Sequence, residues 1–181
     1  MKLHSYSSEG IVLARRNYGE ADRILSLYTK NHGRVSLMAK GIRRPKSRKR
    51  GHLEIFSHIC FQVTTGRGLD LMTEAEVIDD FKEIRKNLKK VSLAYYFCEV
   101  VGKITHEGET NERLFDLILE NLERLKEEKE LRNQRLDFIL KLLTLLGYWP
   151  AGKQLLDIDN KLEEVIERQI NSVRVGKKML E

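Results

Sequence analysis

A chain of 181 residues that is 41% hydrophobic can bury a core of its own, as one large domain or two small ones, and a net charge of +6 favours an anionic partner, nucleic acid or an acidic membrane surface. Its 2 cysteines, Cys60 and Cys98, form no C-x-x-C pair, which excludes a structural zinc site built from cysteines. The opening MKLHSYSSEG has no apolar signal core, and no run of about 18 apolar residues occurs, so neither secretion nor membrane spanning is expected and a reducing cytoplasm is.

The charge is uneven. Up to Asp80 there are 14 lysines and arginines against 9 acids, and from Phe81 onward 19 against 18. The excess therefore belongs to the first part. That part reads as strands. Gly10 to Arg16 and Ile24 to Tyr28 are short runs rich in Ile, Val and Leu. Val35, Leu37 and Ala39 alternate with polar or long side chains. Ile55, Ile59, Phe61 and Val63 largely share one parity, as do Leu69, Leu71, Thr73, Ala75 and Val77. Period two means one buried and one wet face. Asn17-Tyr18-Gly19, Asn31-His32-Gly33 and Gly66-Arg67-Gly68 supply the turns. Five short strands point to a small barrel, of which the five-stranded OB-fold is the common form.

Past Phe81 the period lengthens. Leu88, Val91, Tyr95 and Cys98 share one helical stripe, with Leu93, Val100 and Val101 beside it. A second helix carries Leu114, Leu117, Ile118, Leu122 and Leu125, with Asn111 as its N-cap. A third carries Leu136, Ile139, Leu140, Leu143 and Leu146, and Gly147 stops it before Trp149 and Pro150. A weaker amphipathic stretch runs from Leu162 to Ile170. The expected fold class is α+β: an OB-fold barrel over residues 1–80, then a helical bundle over 81–181.

The segment RVSLMAKGIRRPKSRKRG holds Arg34, Lys40, Arg43, Arg44, Lys46, Arg48, Lys49 and Arg50, and no acid lies between Arg23 and Leu53. Such a density repels itself until an anion neutralises it, and a phosphate backbone does so with release of counterions. Gly41, Pro45 and Gly51 place most of it on a loop leaving the barrel. The plainer alternatives are a membrane or acidic-protein contact, or a basic loop without a ligand. Tyr18, in a turn, is the best placed aromatic for stacking on an unpaired base, with Tyr6 next; ordinary packing at a barrel end competes for both. Glu74, Glu76, Asp79 and Asp80 could hold Mg²⁺ for a nuclease, yet Glu74 and Glu76 already fit the wet parity of a strand. The 5 histidines show no ligand spacing, and no phosphate-binding G-x-x-x-x-G-K-[ST] loop is present. No catalytic residue, metal or cofactor is expected. An RNA-binding barrel is the alternative to a DNA-binding one.

The run GIVLARRNYGEADRILSLYTKNHGRVSLMAKGIRRPKSR, followed by GRGLDLMTEAEVIDDF and LLGYWP, closely resembles the bacterial recombination mediator family RecO from about Ser7 to Pro150. The resemblance implies an N-terminal OB-fold and a helical domain. It implies binding of single- and double-stranded DNA, strand annealing, and partnership with RecR and with single-stranded-DNA-binding protein to help load RecA, in the cytoplasm at the nucleoid. It assigns DNA contacts to Arg34, Lys40, Arg43, Arg44, Lys46 and Arg48, and it implies no catalysis. Many members carry a four-cysteine zinc module after LLGY-x-P. Here AGKQLLDIDNKLEEVIER follows without a cysteine, and the chain ends early for the family, so a compact zinc-free member is expected.

Overall fold

A computed structural model of the protein describes residues 5–44, 53–66 and 68–166. Five strands, β1 (Ser5–Tyr18), β2 (Asp22–Thr29), β3 (Gly33–Ala39), β4 (His58–Thr64) and β5 (Asp70–Asp79), close into a barrel in the order β1-β2-β3-β5-β4. Only the β3–β5 pair is parallel. The expected OB-like barrel is therefore present. The helices are α1 (Lys82–Arg85), α2 (Leu88–Ile104), α3 (Glu112–Glu127), α4 (Leu131–Leu145) and α5 (Ile158–Ile166). No helix among the described residues is long and apolar enough to cross a membrane.

Closure depends on β1, which pairs with β4 through its first half and with β2 through its second. The exchange occurs at Gly10, which faces both Ile59 and Thr29. A Cβ there would stand 3.1 Å from the Tyr28 carbonyl oxygen and 3.2 Å from Phe61, so glycine lets the sheet curl tightly. A bulge between Val12 and Ala14 adds to the bend. The run Ile11-Val12-Leu13 is buried on both faces: Val12 points into the barrel with Leu25, Leu27, Leu37, Ile59 and Phe61, while Ile11 and Leu13 join the helices. That second core, which includes Tyr28 and Phe56, runs continuously from the barrel wall into the bundle.

Several expectations from periodicity need correction. β5 does not keep one parity: Gln62 faces Glu74 but Val63 faces Met72, so Thr73 is an extra residue and the core side switches. Met72 is buried, whereas Leu69 is 41% exposed. Ile55 and Phe56 precede β4 in a turn, Phe56 with φ 58. Phe56 holds this left-handed conformation because its ring is fully buried, its amide donates to the Val12 carbonyl at 2.8 Å, and the Arg85 guanidinium lies 3.9 Å from the ring centre. In α2, Leu88 and Tyr95 are exposed; Cys98, Leu93, Val100 and Val101 are buried as expected, and Ala94, Tyr96, Phe97 and Ile104 are buried with them. In α4 the buried face carries Arg135, Phe138, Ile139, Leu142 and Leu143, while Leu136 and Leu140 are only partly covered. Both helices are wrapped by neighbours on more than one side, so no single stripe of leucines defines their contact.

The α3 stripe is buried as expected, and Asn111 caps that helix by accepting from the Leu114 amide at 3.1 Å. Gly147 has φ 80 beyond α4, the left-handed stop expected of it. Residues 167–170 of the last amphipathic stretch lie outside the described residues.

Candidate nucleic-acid interface

The turn joining β1 to β2 and the loop leaving β3 form one end of the barrel. The Arg43 amide donates to the Ala21 carbonyl at 2.9 Å, and the Gly41 amide to an Asp22 carboxylate oxygen at 2.7 Å. Ile42 is 2% exposed and plugs the barrel interior. With its middle residue anchored inside, the loop must direct its neighbours outward. Lys40, Arg43 and Arg44 are accordingly exposed, beside Tyr18, which is 55% exposed. Arg43 reaches the Gly19 carbonyl at 3.4 Å. Lys40, Arg43 and Arg44 make no ion pair among the described residues. Unneutralised exposed cations raise the local potential and attract anions.

Three further cations share this end, and sequence reading missed them: Arg15, Arg16 and Arg23. Arg23 faces Asn17 across the hairpin and donates to its side-chain oxygen at 3.2 Å. Burial first, then repulsion from Arg15 and Arg43 against the pull of Glu54, sets the Arg23 guanidinium below its ordinary value. Arg15 is tied to Glu54. Arg16 is exposed and, among the described residues, unpaired. The available signal was their position on the two arms flanking a tight turn, where neighbouring strands bring residues distant in sequence side by side.

Arg34 stands apart. It lies on β3, donates from Nη1 to the Gly102 carbonyl of α2 at 3.2 Å, and its own carbonyl accepts from the Gly108 amide at 3.0 Å. Its Nε is buried without a partner among the described residues. It belongs to the contact between barrel and helices rather than to the loop. Lys46, Arg48, Lys49 and Arg50 lie outside the described residues.

The four acids considered for a metal do not converge. Glu74 and Glu76 are exposed on β5, Asp79 takes the Lys126 ammonium at 2.6 Å, and Asp80 lies 3.8 Å from Lys82. Among the described residues no group of three or more His, Cys, Asp or Glu is arranged to hold a metal ion. His58 contacts Glu9 at 3.0 Å, and His32 packs against Tyr6 with ring centres 4.3 Å apart and planes tilted by 46°. Cys98 is fully buried, which pushes its thiol up to about 12, and it is a packed small hydrophobe; Cys60 is half-buried.

Comparison with known proteins follows the same division of the chain. Residues 1–81 match the family model for the recombination protein O N terminal domain, and residues 85–154 match that for the recombination protein O C terminal domain. Similar curated proteins include the DNA repair protein RecO of Pelotomaculum thermopropionicum, 41% identical over 151 residues, covering 83% of this chain and 58% of the relative. The DNA repair protein RecO of Symbiobacterium thermophilum is 34% identical over 147 residues, covering 81% of this chain and 58% of its own length. That of Dehalococcoides mccartyi is 32% identical over 161 residues, covering 89% and 64%. The chain thus spans under two thirds of the length of these relatives. With a closed five-stranded barrel, an attached helical bundle and both family models matched in order, the chain belongs to the RecO family.

Proposed function

We propose that this protein binds DNA in repair, gripping the phosphate backbone with the hairpin end of its barrel and acting by positioning strands rather than by making or breaking bonds. The observation that carries this reading is the set of exposed cations Lys40, Arg43 and Arg44, without an ion-pair partner among the described residues, beside the exposed ring of Tyr18. Phosphate contacts supply affinity without sequence preference, and an aromatic ring beside them stacks on any unpaired base. Neutralising two strands on one surface reduces their mutual repulsion and so promotes annealing. Residues 1–80 serve as the DNA-holding part and residues 81–181 as its brace. Lys46, Arg48, Lys49 and Arg50 extend the same charge in sequence. Family membership supports the finer reading: a mediator working with RecR and with single-stranded-DNA-binding protein to help load RecA at the nucleoid.

The test is a salt titration of binding to a labelled single strand. With roughly four phosphates contacted, log K falls against log salt with a slope of about −3. The triple variant Lys40→Ala, Arg43→Ala, Arg44→Ala binds about tenfold more weakly, from roughly 0.5 kcal/mol per contact. A slope near zero, or unchanged binding by the triple variant, refutes the phosphate grip. Annealing of complementary strands, with and without a coat of single-stranded-DNA-binding protein, then tests the mediator role.

A further inference from the structure

Between the outer face of β1–β3 and α2 lies a cleft of about 610 Å³, within the range of about 300–1,000 Å³ usual for ligand sites. Leu13 and Ile24 form its floor, and Leu69 and Tyr95 stand at its walls. Tyr95 is 38% exposed and is held edge-on by Phe56 at 5.7 Å between ring centres. We propose that this cleft receives a single unpaired nucleobase of a DNA strand held on the hairpin end; the inference rests on the DNA-binding reading given above.

Four observations carry it. First, the cleft continues the basic surface. Arg16 lines it, and Tyr18 follows two residues later on the same side of β1, in a stretch of unbroken register with β2. A strand crossing Arg43 and Tyr18 therefore reaches the mouth of the cleft at Arg16. Second, the chemistry of the lining matches a base. Apolar and aromatic walls suit the faces of a heterocycle, while Ser26 offers a hydroxyl to its edge and Glu107, which accepts from the Ser36 hydroxyl, offers its other carboxylate oxygen. Third, Arg34 lines the cleft with a buried Nε–H that lacks an acceptor among the described residues. Base carbonyls and ring nitrogens are acceptors of the kind this donor lacks.

Fourth, Gly102 stands in the last turn of α2, facing the cleft. No close approach demands it: a Cβ there would meet only Leu13 Cδ1, at 4.0 Å. The missing side chain leaves the cleft open, and the Gly102 carbonyl accepts from Arg34. On an uncovered OB barrel, the β2–β3 face is an open groove. Here α2 packs on β1 and is bonded to β3 through Arg34, so a helix walls one side of the groove and makes it a cleft.

The experiment compares the whole chain on a labelled deoxythymidine strand and on the same strand with all bases removed and phosphates intact. The wild-type protein binds the thymidine strand about tenfold more tightly, the effect of a stacked base. Gly102→Leu, which fills the cleft from α2, and Ser26→Phe, which fills it from the barrel, lower thymidine binding to the level of the base-free strand. Both leave base-free binding and its salt slope unchanged, and thermal melting verifies that each variant is folded. Wild-type-like thymidine binding by folded Gly102→Leu overturns the base site. Equal wild-type affinity for the two strands, with the salt slope intact, also overturns it while leaving the phosphate grip standing. Binding of neither strand overturns both.

Discussion

Cations are handled differently in the two halves of the molecule. In the helical half many are engaged by carboxylates. Arg135 makes a two-pronged bond to Asp159 at 2.7 and 3.0 Å, Lys126 bridges Asp79 and Glu123, and Arg124 bridges Glu128 and Asp137. At the hairpin end of the barrel, Arg16, Lys40, Arg43 and Arg44 have no such partner among the described residues. Formal charge counts both kinds alike. A paired cation serves the fold, and an unpaired exposed one remains available to a ligand.

The sharpest way to separate the two kinds is to remove one of each. Arg135 is 8% exposed at its side chain. Burial works against its charge, but Asp159 and Tyr96 outweigh that and push the guanidinium above its ordinary value. Arg135→Ala strands Asp159 and detaches α5 from α4, so urea unfolding shows a loss of about 3 kcal/mol. DNA affinity per folded molecule stays unchanged. The triple variant Lys40→Ala, Arg43→Ala, Arg44→Ala shows the reverse: its urea midpoint moves by less than about 0.5 kcal/mol, while DNA binding falls about tenfold. If both variants lost stability and binding together, the division of labour would be wrong.

Acid provides a smaller effect confined to the paired cations. Burial raises the Asp79 carboxyl, but bonds from the Lys126 ammonium and the Phe81 amide outweigh it, leaving Asp79 below its ordinary value. A carboxyl depressed in the folded state contributes stability that is present above its unfolded value and is lost as pH falls through the folded one. Urea midpoints of the wild type therefore drop as pH falls below about 4, and Asp79→Asn flattens that part of the curve. An equally steep curve for Asp79→Asn counts against this assignment. The smallest change comes from Arg124→Ala. Its side chain is 45% exposed, so losing both surface bridges shifts urea stability by about 0.5 kcal/mol.

Much of the architecture was legible in the residues. Period-two runs with turn residues between them give the strand-rich first part, and the i, i+3, i+4 pattern of Leu114, Leu117, Ile118, Leu122 and Leu125 gives α3 with its Asn111 cap. Parity failed where the local repeat was broken. A single extra residue at Thr73 switches which side of β5 is buried, and nothing in LDLMTEAEV marks it. It also failed for α2 and α4, where tertiary neighbours on several sides replace a single stripe. In the candidate site, the expected exposure of Tyr18 in its turn and of Lys40, Arg43 and Arg44 on their loop is seen, but that the two lie side by side was not legible, and Arg34 was grouped with the loop cations by chain proximity alone.

The sequence by itself determined the α+β class, the strand-rich first part, the placing of positive charge there and the loop that displays it. All of these depend on interactions between near neighbours: alternation, turn chemistry and charge density. Only the tertiary structure decided which cations of the described residues lack an ion-pair partner. It turned Arg34 toward α2, and it brought Arg15 and the loop cation Arg43 close to Arg23 across the hairpin. It also laid α2 over the barrel face to leave the cleft. Partners distant in sequence decide these points, because an ion pair or a cavity wall forms between surfaces that meet only once the chain has folded.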